Sequence, residues 1–249
     1  MASLLSFANV SKRYDDGGRE ILVLDCVSLV IEEGVSVGVW GTRRSGKSTL
    51  LRLAAGITLA DSGSVCFQGE DLKQMASSKR GRLLRREIAF MAASDWRANP
   101  GESVVDHVAT SLGSEGLTMR DARRRAMQVL DRVEIGASGA AEPTASLSPT
   151  ERARVMLARA LARSPRLLVF DEPALLPSLG DRDRFYTLLR SAAHEQEIAL
   201  LIASEEMAAL QGVGVMMSIA DGEVVSTDRS GTVVRMPGRR RAGAERPGQ

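Results

Sequence analysis

The chain has 249 residues, 44% of them hydrophobic and 26% charged, with a formal net charge of +2. That length suits one large α/β domain, or a domain with a smaller subdomain. No N-terminal stretch joins a basic region, an apolar run and a cleavage site, and no run of about 18 apolar residues occurs, so neither a signal peptide nor a membrane span is expected.

Residues 4–14 (LLSFANVSKRY) and 21–31 (ILVLDCVSLVI) read as strands. The apolar run 35–40 (VSVGVW), closed by glycine, reads as a buried strand. Residues 48–57 (STLLRLAAGI) follow as a helix that Gly56 ends, and 63–69 (GSVCFQG) and 88–92 (IAFMA) read as further strands. From about Ser103 to Arg163 the pattern is helical, and Ala122, Ala126, Val129, Leu130 and Val133 share one face. The run 166–171 (RLLVFD) is a buried strand, 183–193 a helix and 198–203 a strand. Residues 215–225 form a hairpin turning at Asp221-Gly222. Strands alternating with helices predict a mostly parallel sheet, with the helical stretch as an inserted subdomain near 95–165. Residues 235–249 are too rich in Pro, Gly and Arg to form a core and are expected to be a disordered tail. Cys26 and Cys66 lack metal-ligand spacing and are expected to be reduced core thiols of a cytosolic protein. Three basic clusters (79–86, 120–125 and the GRRR of the tail) read as solvated surface. No aromatic residue is interleaved with them, so no nucleic-acid partner is expected.

The stretch 41–49 (GTRRSGKST) lies between a predicted strand and a predicted helix and fits G-x-x-x-x-G-K-[ST]. Such a loop turns main-chain amides toward phosphates, its lysine charge reaches the β/γ oxygens, and its hydroxyl can hold Mg²⁺. The predicted triphosphate site therefore comprises Gly41, Thr42, Arg43, Arg44, Ser45, Gly46, Lys47, Ser48 and Thr49. Arg43 and Arg44 put bulk where such loops carry small side chains. The second half of the site is a carboxylate at the end of a buried strand. LLVFDE supplies Asp171 for Mg²⁺ beside Ser48, and Glu172 to polarise an attacking water. Glu172 and Lys47 are the expected catalytic residues, with ATP and Mg²⁺ as cofactors.

Over about residues 4–234 the chain resembles the ATP-binding subunit of an ABC transporter. VSKRY, with Tyr14, resembles the adenine-stacking segment. GTRRSGKST and LLVFDEP match the two nucleotide motifs, and LSPTERARVMLARAL stands where the family has L-S-G-G-Q and its helix. The stretch RLLRREIAFM is most similar to the macrolide- and lipoprotein-export branch. The resemblance implies a P-loop NTPase (RecA-like) α/β core in residues 1–234, an antiparallel β subdomain, and ATP bound between two head-to-tail subunits. Ser148, in the signature segment, would then face phosphate.

Several positions depart from the family. Pro149 and Thr150 replace the signature glycines, and proline has no N–H while both side chains obstruct a close approach. Ala93 stands at the place of the glutamine that couples to the permease. Ser178 replaces the aspartate that reaches across the dimer, and Ser204 replaces the histidine on the γ-phosphate. His107 and His194 are expected at the surface. The resemblance thus implies a homo- or heterodimer that binds Mg-ATP, hydrolyses it weakly, and drives or gates a separate membrane permease from the cytoplasmic face. The alternative is a non-catalytic, regulatory ATP-binding partner in a heterodimer.

Overall fold

The computed structural model describes residues 3–92, 96–171, 176, 178–227 and 233–234. The chain opens with β1 (Ser3–Asp16), β2 (Arg19–Glu32), β3 (Ser36–Trp40) and α1 (Lys47–Ala54). Then follow β4 (Ser62–Phe67), β5 (Glu70–Asp71), α2 (Ser77–Arg86) and β6 (Ile88–Met91). A helical stretch carries α3 (Val104–Thr110), α4 (Met119–Arg132), α5 (Ala137–Ala141) and α6 (Pro149–Ala162). The chain returns through β7 (Leu167–Asp171), α7 (Leu179–Glu195), β8 (Ala199–Ser204), β9 (Val215–Ala220), β10 (Glu223–Thr227) and β11 (Val233–Val234).

Two sheets result. One is antiparallel, in the order β2-β1-β4-β5; the other runs β11-β10-β9-β3-β8-β7-β6, with parallel pairing from β9 to β6. The short apolar strands of the parallel sheet are covered on both faces, as their uninterrupted hydrophobicity requires. Alternation decides which face each side chain serves. Leu168, Phe170, Leu200 and Ile202 point into a core shared with α3, α4, α6 and α7. Leu167, Val169, Ala199, Leu201 and Ala203 point the other way, into a core shared with α1 and the antiparallel sheet. The expected α/β class, with its mostly parallel sheet and separate antiparallel sheet, is what the chain builds.

Local signals set the boundaries. Gly56 at φ +68° follows the last turn of α1, a conformation that residues with a Cβ rarely adopt. Thr118 caps α4 by accepting from the Asp121 amide, and Ala122, Ala126, Val129, Leu130 and Val133 are all buried. Asp221 and Gly222 both take positive φ between β9 and β10, the geometry of a two-residue hairpin turn.

Two expectations fail. Cys26 is exposed and Cys66 only half-buried, so neither is a core thiol, although both are free. Register slips between β1 and β2 around Val10 and Lys12, and Cys26 takes φ +50° there, which turns its side chain off the packed face. His107 is buried, not superficial: it lies on the inner side of α3 with Val104 and Val108 and packs on Trp96 at 5.2 Å between ring centroids. Its Nδ1 lies 3.2 Å from Glu102. Burial, and then the Arg159 guanidinium, push its pKa below the ordinary value despite that carboxylate. His194, near the end of α7, is exposed as expected.

Phe170 joins the sheet to α7 through Phe185 and Tyr186, with ring centroids at 5.5 and 5.8 Å. Truncating it empties an aromatic volume that the strand and helix cannot both close over. Phe170→Ala is expected to cost about 3–5 kcal/mol, read as a lower urea midpoint; a loss under about 1 kcal/mol would mean the cluster does not join these elements.

Candidate functional site

The carboxyl ends of three adjacent parallel strands meet at one edge of the sheet. Trp40 of β3 is in register with Ser204 of β8, and Asp171 of β7 with Ala203 of β8. Open sheets of this kind place ligands there. The chain leaving β3 curls into a tight loop and enters α1. A Cβ on Gly41 would lie 2.6 Å from Ser45 Oγ and 2.7 Å from the Ile219 carbonyl oxygen, so only glycine fits. Gly46 has φ +105°, and a Cβ there would meet the Val23 carbonyl oxygen at 2.9 Å. Arg44 also takes a left-handed turn, at φ +64°, and the Ser45 amide donates to Thr42 O at 3.2 Å.

Lys47 lies inside this curl, only 8% exposed. Its Nζ donates to the carbonyl oxygens of Gly41 and Thr42, both at 2.8 Å. Glu205 Oε1 lies 3.8 Å from the same nitrogen and 3.9 Å from Arg43 Nε. Ser45 Oγ is buried without a hydrogen-bond partner among the described residues. Helix α1 starts at Gly46 with no side-chain cap and no acidic residue in its first turn. An ammonium, an uncapped helix start and an orphan hydroxyl therefore face one cradle, the donor set that an oxyanion completes.

Ser48 Oγ donates to Asp171 Oδ1 at 3.2 Å. Among the described residues no group of three His, Cys, Asp or Glu side chains could hold a metal. A hydroxyl and a carboxylate alone suit Mg²⁺, which keeps waters and shares the oxygens of a bound phosphate. Tyr14 stands on β1 opposite Ile21, 38% exposed, with Lys12 Nζ 5.3 Å above its ring. Ile21 and Leu22 are exposed beside it, and Val23 and Leu24 of the same strand touch Gly46. The aromatic ring thus belongs to the hairpin that walls the loop. Thr49 is buried in the first turn of α1, while Thr42, Arg43 and Arg44 are exposed. Glu172 and Ala93 lie outside the described residues.

The start of α6 is arranged differently. Ser148 caps the helix, accepting from the Glu151 amide at 3.3 Å, while its own amide and hydroxyl donate to Glu151 Oε2 at 2.8 and 2.6 Å. Pro149 has no amide, and the Arg152 amide donates to Ser148 O. The helix end therefore satisfies itself with a carboxylate of its own, and Ser148 spends its proton on that carboxylate. Ser178 likewise caps α7. Ser204 is fully buried; its hydroxyl accepts from the Glu206 amide at 3.0 Å and its carbonyl from the Gly41 amide at 3.3 Å.

Glu205 was not anticipated, and its only sequence signal is its place just past β8. A second feature was equally hidden: a cavity of about 290 Å³ between α2, β6, α3 and α6, lined by Arg85, Arg159 and Arg163 over Phe90, Met91 and Met156. Burial pushes the pKa of Arg159 and of Arg163 down, and the Nε atoms of both are buried without a hydrogen-bond partner among the described residues.

The profile of the ABC transporter family matches residues 24–175. The lipoprotein-releasing system ATP-binding protein LolD of Pseudomonas syringae pv. tomato is 31% identical over 223 residues, covering 90% of this chain and 97% of that one. Its namesake in Shewanella frigidimarina is 30% identical over 220 residues, covering 88% and 91%. Among solved structures, the ATP-binding cassette MJ0796 bound to ADP and Pi superposes with a TM-score of 0.79 at 23% identity, covering 94% of this chain and 99% of that one.

The cap at α6 has a pH signature. Hydrogen bonds from the Ser148 hydroxyl and then its amide hold Glu151 below the ordinary 4.5. A lowered folded-state pKa gives stability that is complete above the unfolded value and lost as pH falls through the folded one. Ser148→Ala is expected to cost about 0.5–2 kcal/mol at neutral pH. The gap between the two proteins' melting temperatures should narrow as pH falls below 4.5; a gap constant with pH would mean that Glu151 takes no part in the cap.

Proposed function

Because the chain belongs to the ABC transporter family, as an ATP-binding subunit, we propose that it takes Mg-ATP into the Gly41–Thr49 loop and passes the binding event to a separate membrane permease. The observation that carries this reading is the Lys47 ammonium, buried and held, among the described residues, by two loop carbonyls and a carboxylate neighbour. Loop amides and the start of α1 would take the inner phosphates, Lys47 would bridge to the outer ones, and Tyr14 would stack on the base. Ser48 and Asp171 would hold Mg²⁺, which when bound neutralises charge on the phosphate oxygens. Gly41, Thr42, Arg43, Arg44, Ser45, Gly46 and Thr49 complete the loop. Residues 1–234 form the ATP-binding domain in this reading, with a helical subdomain at about 95–165; the tail expected at 235–249 lies outside the described residues.

Hydrolysis is proposed to be weak. Glu172 is the general base, but at the α6 start, which would close on the nucleotide of a dimer partner, the Ser148 amide and hydroxyl are already engaged by the Glu151 carboxylate and the Glu151 amide by Ser148 Oγ. A homodimer would carry that defect in both sites. The same observation favours a second reading, a regulatory partner in a heterodimer, where this chain binds ATP against an intact signature on the other subunit. Among the described residues no helix is long and apolar enough to cross a membrane. The permease would bring the subunit to the cytoplasmic face, and the Arg85–Arg159–Arg163 cavity offers that chain a positive socket with an apolar floor.

Calorimetry with Mg-ATP is expected to show saturable binding, lost by tenfold or more in Lys47→Ala and weakened about tenfold in Tyr14→Ala, as one base–aromatic stack predicts. Magnesium-independent heats, or unchanged affinity in Lys47→Ala, would overturn the reading. Turnover should be slow and fall further in Glu172→Gln; equal turnover in both proteins would favour the regulatory alternative. Arg163→Glu should reduce co-purification with permease subunits while leaving ATP affinity intact.

A further inference from the structure

We propose that Glu205 is a specificity-determining residue that biases the nucleotide site against the triphosphate and toward the diphosphate. This rests on the reading of the Gly41–Thr49 loop as a nucleotide site. The carboxylate reaches the loop from the neighbouring strand end, not from the loop itself. Its Oε1 lies 3.8 Å from Lys47 Nζ and 3.9 Å from Arg43 Nε, so it offsets part of the positive charge that borders the cradle. Loop amides and the helix start take the inner phosphates, and the lysine bridges outward. A charge that meets the ammonium from outside the loop therefore stands where the outermost phosphate arrives.

The main chain that carries Glu205 is fastened to the loop. Trp40 Nε1 donates to the Glu205 carbonyl oxygen at 3.0 Å, and the Gly41 amide donates to Ser204 O at 3.3 Å. The Glu206 amide donates to Ser204 Oγ at 3.0 Å, which closes the turn. These bonds fix the main chain that carries the side chain beside the loop. At 45% exposure the carboxylate keeps some solvent and its pairing with Lys47 is modest, so it is a counter-ion that a nucleotide can displace. Displacement is followed by repulsion. ATP brings one more phosphate and more negative charge than ADP to the outer side of Lys47, and like charges a few ångströms apart repel strongly in a partly desolvated site. ADP ends inside the cradle and meets Glu205 less. A subunit built this way rests with the charge of its cradle partly offset and holds ADP in preference to ATP.

The test is the ratio of affinities. Dissociation constants for ATP and ADP, both with magnesium, are measured by calorimetry on the full chain, on Glu205→Gln and on Glu206→Gln. Glu206 is the adjacent carboxylate, paired with Arg182 away from the loop. In Glu205→Gln, ATP is expected to tighten about three- to tenfold and ADP less than about twofold, the scale of one partly screened charge. Glu206→Gln should leave both constants unchanged. Equal tightening of the two nucleotides, no change in either, or the same shift in Glu206→Gln overturns the proposal while leaving the nucleotide site standing. Weaker ATP binding by a Glu205→Gln protein whose melting curve is unaltered would assign Glu205 to holding ATP and overturn it too. If the unsubstituted chain binds neither nucleotide, the reading of the loop falls, and this proposal with it.

Discussion

A nearly buried ammonium with two carbonyl oxygens as its closest partners sets the conditions for everything around it. Desolvating a charge is costly unless other groups replace its water, and Lys47 finds the Gly41 and Thr42 carbonyls for that task. Those carbonyls can point inward only if the loop curls back over the first turn of α1. The curl requires glycine at two points where the chain brushes other backbone, at Ile219 of β9 and at Val23 of β2. The loop is therefore gripped between the parallel and the antiparallel sheet. Asp25 of β2 donates its amide to Gly222, at the turn after β9, so the two sheets are tied where they flank the loop. The fold holds a cation in place before any ligand arrives, which is the preorganisation that anion binding rewards.

What the sequence disclosed follows from how local its codes are. The loop spacing, the face of α4 and the Asp221-Gly222 turn depend on residues a few positions apart, and all three stand where they were read. The α6 cap is as local, since Ser148 and Glu151 stand three positions apart, the spacing of a capping box. His107 was missed although its signal was present: with Val104 and Val108 it makes the i, i+3, i+4 pattern of a buried face, which its polarity masked. Cys26 could not have been placed, because its orientation follows from a slip in register between two strands. Glu205 was illegible for a different reason. Its neighbour Lys47 is over 150 positions away in sequence, and only the pairing of β3 with β8 brings them together. The arginine cavity likewise draws on α2 and α6, which no spacing rule connects.

The two helix starts explain why one nucleotide motif persists while the other is altered. Every helix leaves amides unpaired at its N-terminus and gathers partial positive charge there. At α1 no side chain caps these amides and no acidic residue enters the first turn, so the helix is held by packing and its end stays available to an outside anion. At α6 the same electrostatic demand is met internally. The Glu151 carboxylate takes the Ser148 amide and hydroxyl, proline removes a further donor, and the helix gains a stable end. A helix start cannot serve both ends, because a cap good enough to stabilise the helix is a competing anion for any phosphate. Glu205 repeats the theme on the other side of the site, where a carboxylate of the chain faces Lys47 and Arg43. The loop itself still needs an outside anion, yet the neighbouring strand end and the signature helix are each furnished with a glutamate. On the proposed heterodimer reading, a partner subunit with an uncapped signature would supply the donors that this chain has turned to its own stability.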